Sequence, residues 1–198
     1  MVKNYQIAFD LDDVIFETTL PLLIECQRRG WISSDFKFED IVLPTFYQLF
    51  GWKRGTHEFE LLTSEFIASL KVHQQVIDTI KNLMKNNISV CYITSRPISL
   101  ARTTFEVLDK MGLRWEDVFL ALTDEKANFA KQMEVRIVVD DRPQVALSAG
   151  RIGLCACVPE MPYNQQILKV KQNMDIYRGN WAYLEKIINK KMEKMNER

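Results

Sequence analysis

Four short stretches of this sequence carry side chains that suit one chemistry. Asp10-Leu11-Asp12-Asp13 sets three carboxylates within four positions at the end of an apolar run. Thr94-Ser95-Arg96-Pro97 and Asp140-Asp141-Arg142-Pro143 each follow another apolar run, and Lys126 opens a helical pattern between them. Carboxylates so close repel, and burying them unpaired is costly. A divalent cation offsets such charge, and a hard, oxygen-rich set of this kind suits Mg²⁺. A hydroxyl from Thr94 and the ammonium of Lys126 could hold a phosphate against that metal. An aspartate can also attack phosphorus, and phosphoryl transfer otherwise asks mostly for positioning and neutralised charge.

These residues need elements that bring them together. Apolar runs at 5–9, 88–93, 135–139 and 152–158, with a weaker one at 118–121, read as buried strands. Helical patterns at 76–85, 99–111, 126–133 and 143–149 separate most of them. The alternation predicts an α/β, Rossmann-like parallel sheet with helices on both faces. In such a sheet ligands bind beyond the carboxyl ends of the strands, which is where the four stretches fall. The interval 14–72 is too long for one crossover and is rich in aromatics: Phe36, Phe38, Phe46, Tyr47, Phe50, Trp52, Phe59 and Phe66. It reads as a small helical cap inserted after the first strand, leaving 1–13 and 73–198 as the core, with Gly51 and Gly55 as turn or hinge positions. The last stretch, 180–198, reads as an exposed helix with an apolar stripe of Trp181, Leu184, Ile187 and Ile188.

Composition narrows the function classes. The chain has 198 residues, 47% hydrophobic and 26% charged, enough to bury a substantial core. Its 26 basic and 26 acidic residues balance, so neither nucleic acid nor a membrane surface is expected as a partner. Cys26, Cys91, Cys155 and Cys157 contain no Cys-x-x-Cys pair and read as buried structural thiols. With no leader and no long apolar span in the sequence, a cytoplasmic location is the expectation.

Taken together and in order, the four stretches resemble the haloacid dehalogenase (HAD) superfamily of phosphohydrolases over about residues 5 to 158. The resemblance implies roles. Asp10 would be the nucleophile and a metal ligand. Asp12 would be the acid that protonates the leaving oxygen and then the base that activates water, its main-chain carbonyl also binding Mg²⁺. Thr94, Ser95 and Lys126 would bind the phosphoryl group. Asp141 would ligate the metal, with Asp140 and Arg142 beside it. Lys131 is a rival to Lys126, but Lys126 stands at a predicted helix start, which suits an anion better. Arg96 could contact phosphate or pair with the aspartates. His57 and His73 suit packing or surface roles.

Within the superfamily the helical insertion, Thr94-Ser95 and Asp140-Asp141-Arg142-Pro143 look most like the 5'(3')-deoxyribonucleotidases. The implied substrate is a small phosphate ester, a nucleoside monophosphate first, hydrolysed with Mg²⁺. Two positions depart from that group. Asp13 stands where a glycine often follows the second aspartate, and Thr18 where a base-stacking aromatic is expected. The alternatives are a phosphatase acting on another small ester or on nucleic-acid 3' ends, and a phosphate-binding protein without turnover. Asp10 and Asp12 together favour turnover.

Overall fold

The computed structural model describes residues 4–53, 57–170 and 173–196. Among these, six parallel strands form one sheet: β1 (Ile7–Phe9), β2 (Val90–Thr94), β3 (Val118–Leu120), β4 (Ile137–Val139), β5 (Cys155–Pro159) and β6 (Ile176–Gly179). Their order across the sheet is β3-β2-β1-β4-β5-β6, and every neighbouring pair runs parallel. The expected fold class is therefore the observed one. β1, β2 and β4 are buried along their whole length, as strands covered on both faces must be.

Alternate residues of each strand feed opposite cores. Ile7, Phe9, Val90, Tyr92, Ile137 and Val139 pack under α5 (Gln74–Lys85), α6 (Ala101–Lys110) and α10 (Trp181–Asn196). Ala8, Cys91, Ile93, Val138 and Ala156 pack under α7 (Lys126–Gln132), α8 (Pro143–Arg151) and the short α9 (Ile167–Val170). Small residues on the second side, among them Ala127, Ala130, Ala146 and Ala149, let those helices lie close to the sheet. All four cysteines are buried.

Between β1 and α5 lie α1 (Thr19–Arg28), α2 (Phe46–Phe50), α3 (His57–Leu61) and α4 (Ser64–Ser69). Leu23, Cys26, Ile32, Ile41, Phe46 and Leu61 form a third cluster there, ringed by Trp31, Phe36, Phe50 and Trp52. Val14, Ile15, Phe16 and Ile67, from the ends of the same interval, pack instead with the sheet. The aromatics stack on one another: Phe50 on Trp52 at 5.2 Å and Trp31 on His57 at 4.3 Å. Gly51 ends α2 in the left-handed region, at φ 67°, a conformation glycine adopts without a Cβ penalty. Gly55 and the side chain of Phe59 lie outside the described residues.

The sequence reading and the structure part company in three places. The run 152–158 begins its strand only at Cys155, because Gly153, at φ 80°, first turns the chain out of α8. β6 and α9 were not anticipated. β6 is a four-residue edge strand with only its end residues buried, too short and too polar for a periodic signal. The terminal helix is not simply exposed: Leu184, Ile188 and Met192 are fully or almost fully buried against the sheet. The two edges of the sheet also differ. β3 presents Leu120, with Trp115 and Leu122 exposed beside it, whereas β6 carries Arg178. Among the described residues no helix is long and apolar enough to cross a membrane.

Candidate active site

β1 lies between β2 and β4, so the chain leaves β1 to one side and later returns on the other. This switch opens a crevice at the carboxyl ends of the strands. Asp10 directly follows β1, Asp140 directly follows β4, and Thr94 ends β2. The main-chain N–H of Asp10 donates to the carbonyl of Val139 at 2.8 Å, which fixes the two loops against each other.

Lys126, the first residue of α7, reaches into this crevice and is 2% exposed. Its Nζ lies 2.5 Å from Asp10 Oδ2 and 3.0 Å from Asp140 Oδ2, bridging residues from two strands. Lys131, its rival, is exposed. Asp10, Asp140 and Asp141 each bring a carboxylate oxygen within 4.8 Å of the others. Asp10 Oδ1 accepts from the N–H of Leu11 at 2.7 Å, and Asp140 Oδ1 from that of Arg142 at 2.9 Å. Oδ2 of Asp141 accepts from the Tyr163 hydroxyl and lies 3.6 Å from Nε of Arg142. Its Oδ1 is buried with no hydrogen-bond partner. Orphaned buried carboxylate oxygens are rare because of their desolvation cost, and a cation is one way to meet it.

The electrostatics follow from burial. Desolvation pushes the Asp10 carboxyl up to about 7; Lys126 pulls it down while Asp140 and Asp12 push it further up. Asp141 is likewise raised to about 7 by burial, against the pull of Arg142 and with a further push from Asp13 and Asp10. Burial alone would lower Lys126, but Asp10 and Asp140 outweigh it and hold the ammonium charged. Five carboxylates (Asp10, Asp12, Asp13, Asp140 and Asp141) share this region with three cations (Arg96, Lys126 and Arg142). The excess is two negative charges, what one divalent cation or two protons would cancel.

Asp12 stands apart from this cluster. Arg96 Nη2 lies 2.7 Å from its Oδ1, Arg96 Nε is 3.1 Å from both oxygens, and the Thr18 hydroxyl donates at 2.8 Å. Burial raises the Asp12 carboxyl, yet Arg96 and Thr18 outweigh that and hold it below the usual range. An acid role favours a raised value, whereas in this arrangement Asp12 is held as the carboxylate. Arg96 is thus a partner of an aspartate, with its guanidinium 4.6 Å above the Phe16 ring. Asp13 has φ 55°, in the left-handed region where glycine is the usual occupant. It accepts from the N–H groups of Thr18 and Thr19 at 3.0 and 2.9 Å and from the Thr19 hydroxyl, so it caps the start of α1.

Thr94 is fully buried and its Oγ1 accepts from the N–H of Arg96 at 3.2 Å. Ser95 is exposed. Arg142 spans two regions: besides facing Asp141, its Nη1 donates to the carbonyl of Pro44 at 2.5 Å. His57 stacks among the tryptophans, and His73 precedes α5 with Nδ1 4.0 Å from Glu17. The sequence reading missed Tyr163 and Asn164. Both sit in the loop after β5, and Pro159 and Pro162 mark that loop as a turn at a strand's carboxyl end, the one signal that could have found them.

No family model matches the chain. A nucleotidase of Clostridium acetobutylicum is 26% identical over 125 residues, 63% of this chain. The match spans 62% of that relative's length. A HAD hydrolase of family IA, variant 3, from Entamoeba histolytica is similar in structure, with a TM-score of 0.62, 18% identity, and coverage of 93% of this chain and 99% of that one. The chain has the HAD fold. A HAD-family hydrolase from Deinococcus radiodurans, solved with phosphate and sodium, shares that fold at a TM-score of 0.55 and 12% identity, covering 90% of this chain and 93% of that one. In this chain the HAD fold brings Asp10, Lys126, Asp140 and Asp141 to one point, sets Thr94 at an adjacent strand end, and leaves Ser95 facing solvent.

Proposed function

We propose that this chain is a Mg²⁺-dependent phosphomonoester hydrolase that works through an aspartyl-phosphate on Asp10. The observation that carries the reading is the buried cluster of Asp10, Asp140 and Asp141, with its orphaned Asp141 Oδ1, in a region where five carboxylates face three cations. Asp10, the main-chain carbonyl of Asp12, and Asp141 would hold the metal, with Asp140 and Arg142 supporting them. When bound, Mg²⁺ would supply charge neutralisation for the phosphoryl oxygens. Thr94 and Lys126 would hold those oxygens, with the exposed Ser95 at the margin.

In the first step a carboxylate oxygen of Asp10 forms a bond to phosphorus as the ester P–O bond breaks. The leaving alkoxide takes a proton from Asp12. In the second step Asp12 removes a proton from water, whose oxygen bonds to phosphorus; the acyl-phosphate P–O bond breaks, releasing orthophosphate and the Asp10 carboxylate. Because Arg96 holds Asp12 ionised here, the acid step requires that ion pair to open. Asp10, Thr94, Lys126, Asp140 and Asp141 are almost wholly buried, so the 14–72 segment would act as a cap that opens for substrate and then excludes water.

The substrate class is a small phosphate ester, with nucleoside monophosphates first, in line with the nucleotidase relative. The mutual stacking of the cap aromatics favours a second reading, an ester smaller than a nucleotide, because those rings are occupied with one another. Phosphate release from a panel decides between them: deoxy- and ribonucleoside 5'- and 3'-monophosphates, sugar phosphates and a 3'-phosphorylated oligonucleotide, with Mg²⁺ and with chelator. Release from mononucleotides, lost in chelator and in Asp10→Asn, is the expected outcome. Release from sugar phosphates alone would change the substrate but keep the chemistry. No Mg²⁺-dependent release from any member would sink the hydrolase reading.

A further inference from the structure

The proposed mechanism gives no task to Tyr163, whose buried hydroxyl contacts Asp141 directly. Tyr163 is 7% exposed, and its ring belongs to the same hydrophobic cluster as Leu23, Phe46 and Leu61 of α1, α2 and α3. Its hydroxyl nonetheless points at carboxylates: it donates to Asp141 Oδ2 and lies 3.5 Å from Asp13 Oδ2. A phenol has one proton, and the closer acceptor, Asp141, takes it. Directly after it, Asn164 donates through Nδ2 to the main-chain carbonyl of Asp141 at 2.9 Å. Asp141 is therefore held at its backbone by Asn164 and at one carboxylate oxygen by Tyr163, while Oδ1 keeps no partner.

We infer that Tyr163 is a positioning residue for the divalent cation: by occupying Oδ2 of Asp141 it leaves Oδ1 as the oxygen presented to the metal. This rests on the proposed use of a metal at Asp10 and Asp141. A carboxylate free to rotate loses entropy when it ligates, and a hydrogen bond to its outer oxygen removes that cost beforehand. Because the ring sits among residues of α1, α2 and α3, the orientation of Asp141 is also tied to the packing of the 14–72 segment.

The test is Mg²⁺ binding by calorimetry and Mn²⁺ binding by electron paramagnetic resonance, on the full chain and without substrate, in wild type and Tyr163→Phe. Loss of the hydroxyl is expected to weaken binding about 10- to 100-fold while the unfolding midpoint in chelator stays close to wild type. Excess Mg²⁺ should then restore most of kcat. Wild-type affinity in Tyr163→Phe, or a lower metal-free midpoint with unchanged affinity, would overturn the inference and mark the hydroxyl as structural. Wild type that binds neither ion would instead overturn the metal reading on which it rests. Should the variant not fold, 3-fluorotyrosine placed at position 163 of the wild-type chain gives a second readout. Its fluorine resonance is expected to shift on adding Mg²⁺, and an unmoved resonance would overturn the inference.

Discussion

Asp13 shows how one residue can serve the local backbone and the site at the same time. Its left-handed φ of 55° costs an ordinary side chain roughly 1–2 kcal/mol. The carboxylate offsets that cost by accepting three hydrogen bonds at the start of α1. Removing the two contributions separately gives a prediction. Asp13→Ala loses the cap and keeps the strained φ, and should destabilise by about 2–3 kcal/mol. Asp13→Gly loses the same hydrogen bonds but relaxes the backbone, so it should be the milder change by about 1 kcal/mol. Urea unfolding of both variants checks this, and equal destabilisation would deny the backbone its share. The three carboxylates at residues 10, 12 and 13, identical in kind, thus separate into three jobs. Asp10 faces Lys126, Asp12 faces Arg96 and Asp13 caps a helix. The sequence displays the cluster but not this division, because which residue turns outward depends on a φ angle that composition does not encode.

At the scale of elements, the strands that carry the site were legible and the loop that braces it was not. Uninterrupted runs such as Val90–Thr94 announce strands buried on both faces, and the chemical residues directly follow them. The loop after β5 has no periodicity to read, yet it holds Asn164, which is fully buried and joins four partners. Its Nδ2 donates to the carbonyls of Asp141 and Pro159, and its Oδ1 accepts from Arg178 Nε at 2.7 Å and from the N–H of Met161. A residue of edge strand β6 thereby braces the loop that reaches across to Asp141 beyond β4. Asn164→Ala would leave buried donors and acceptors unmatched and should cost about 3 kcal/mol. The expected readout is a lower urea midpoint with an unchanged slope; a midpoint equal to wild type would mean the loop holds itself. Lys126 was the hardest residue to place in advance, since most lysines are solvated. Only the meeting of α7 with two strand ends makes this one a buried bridge.

The whole molecule balances 26 basic against 26 acidic residues, but the balance is not local. Folding gathers an excess of carboxylates at the switch point, and burial there raises Asp10 and Asp141 to about 7. In the unfolded chain the same groups titrate near about 4. Between those values the folded state binds more protons than the unfolded state, so stability must fall as pH rises through that window. Metal-free protein should therefore unfold at a lower temperature at about pH 8 than at about pH 5, and Mg²⁺ should remove most of that difference by taking over the charge. Thermal scans in chelator and in Mg²⁺ at the two pH values test this; a metal-free midpoint that rises with pH would contradict it. Asp12 works in the opposite sense. Its carboxyl is held below the usual range, so its contribution is present above about pH 4 and is lost only as pH falls below that.

The unequal edges of the sheet bear on how the protein behaves when crowded. A sheet grows by adding strands at an open rim, and charge at the rim discourages it. Here the rim with Arg178 is defended, whereas the rim with Leu120, Trp115 and Leu122 is guarded chiefly by the shortness of a three-residue strand. On long storage, association should begin on that side, and exchange protection gained on concentration should appear around β3 and not around β6.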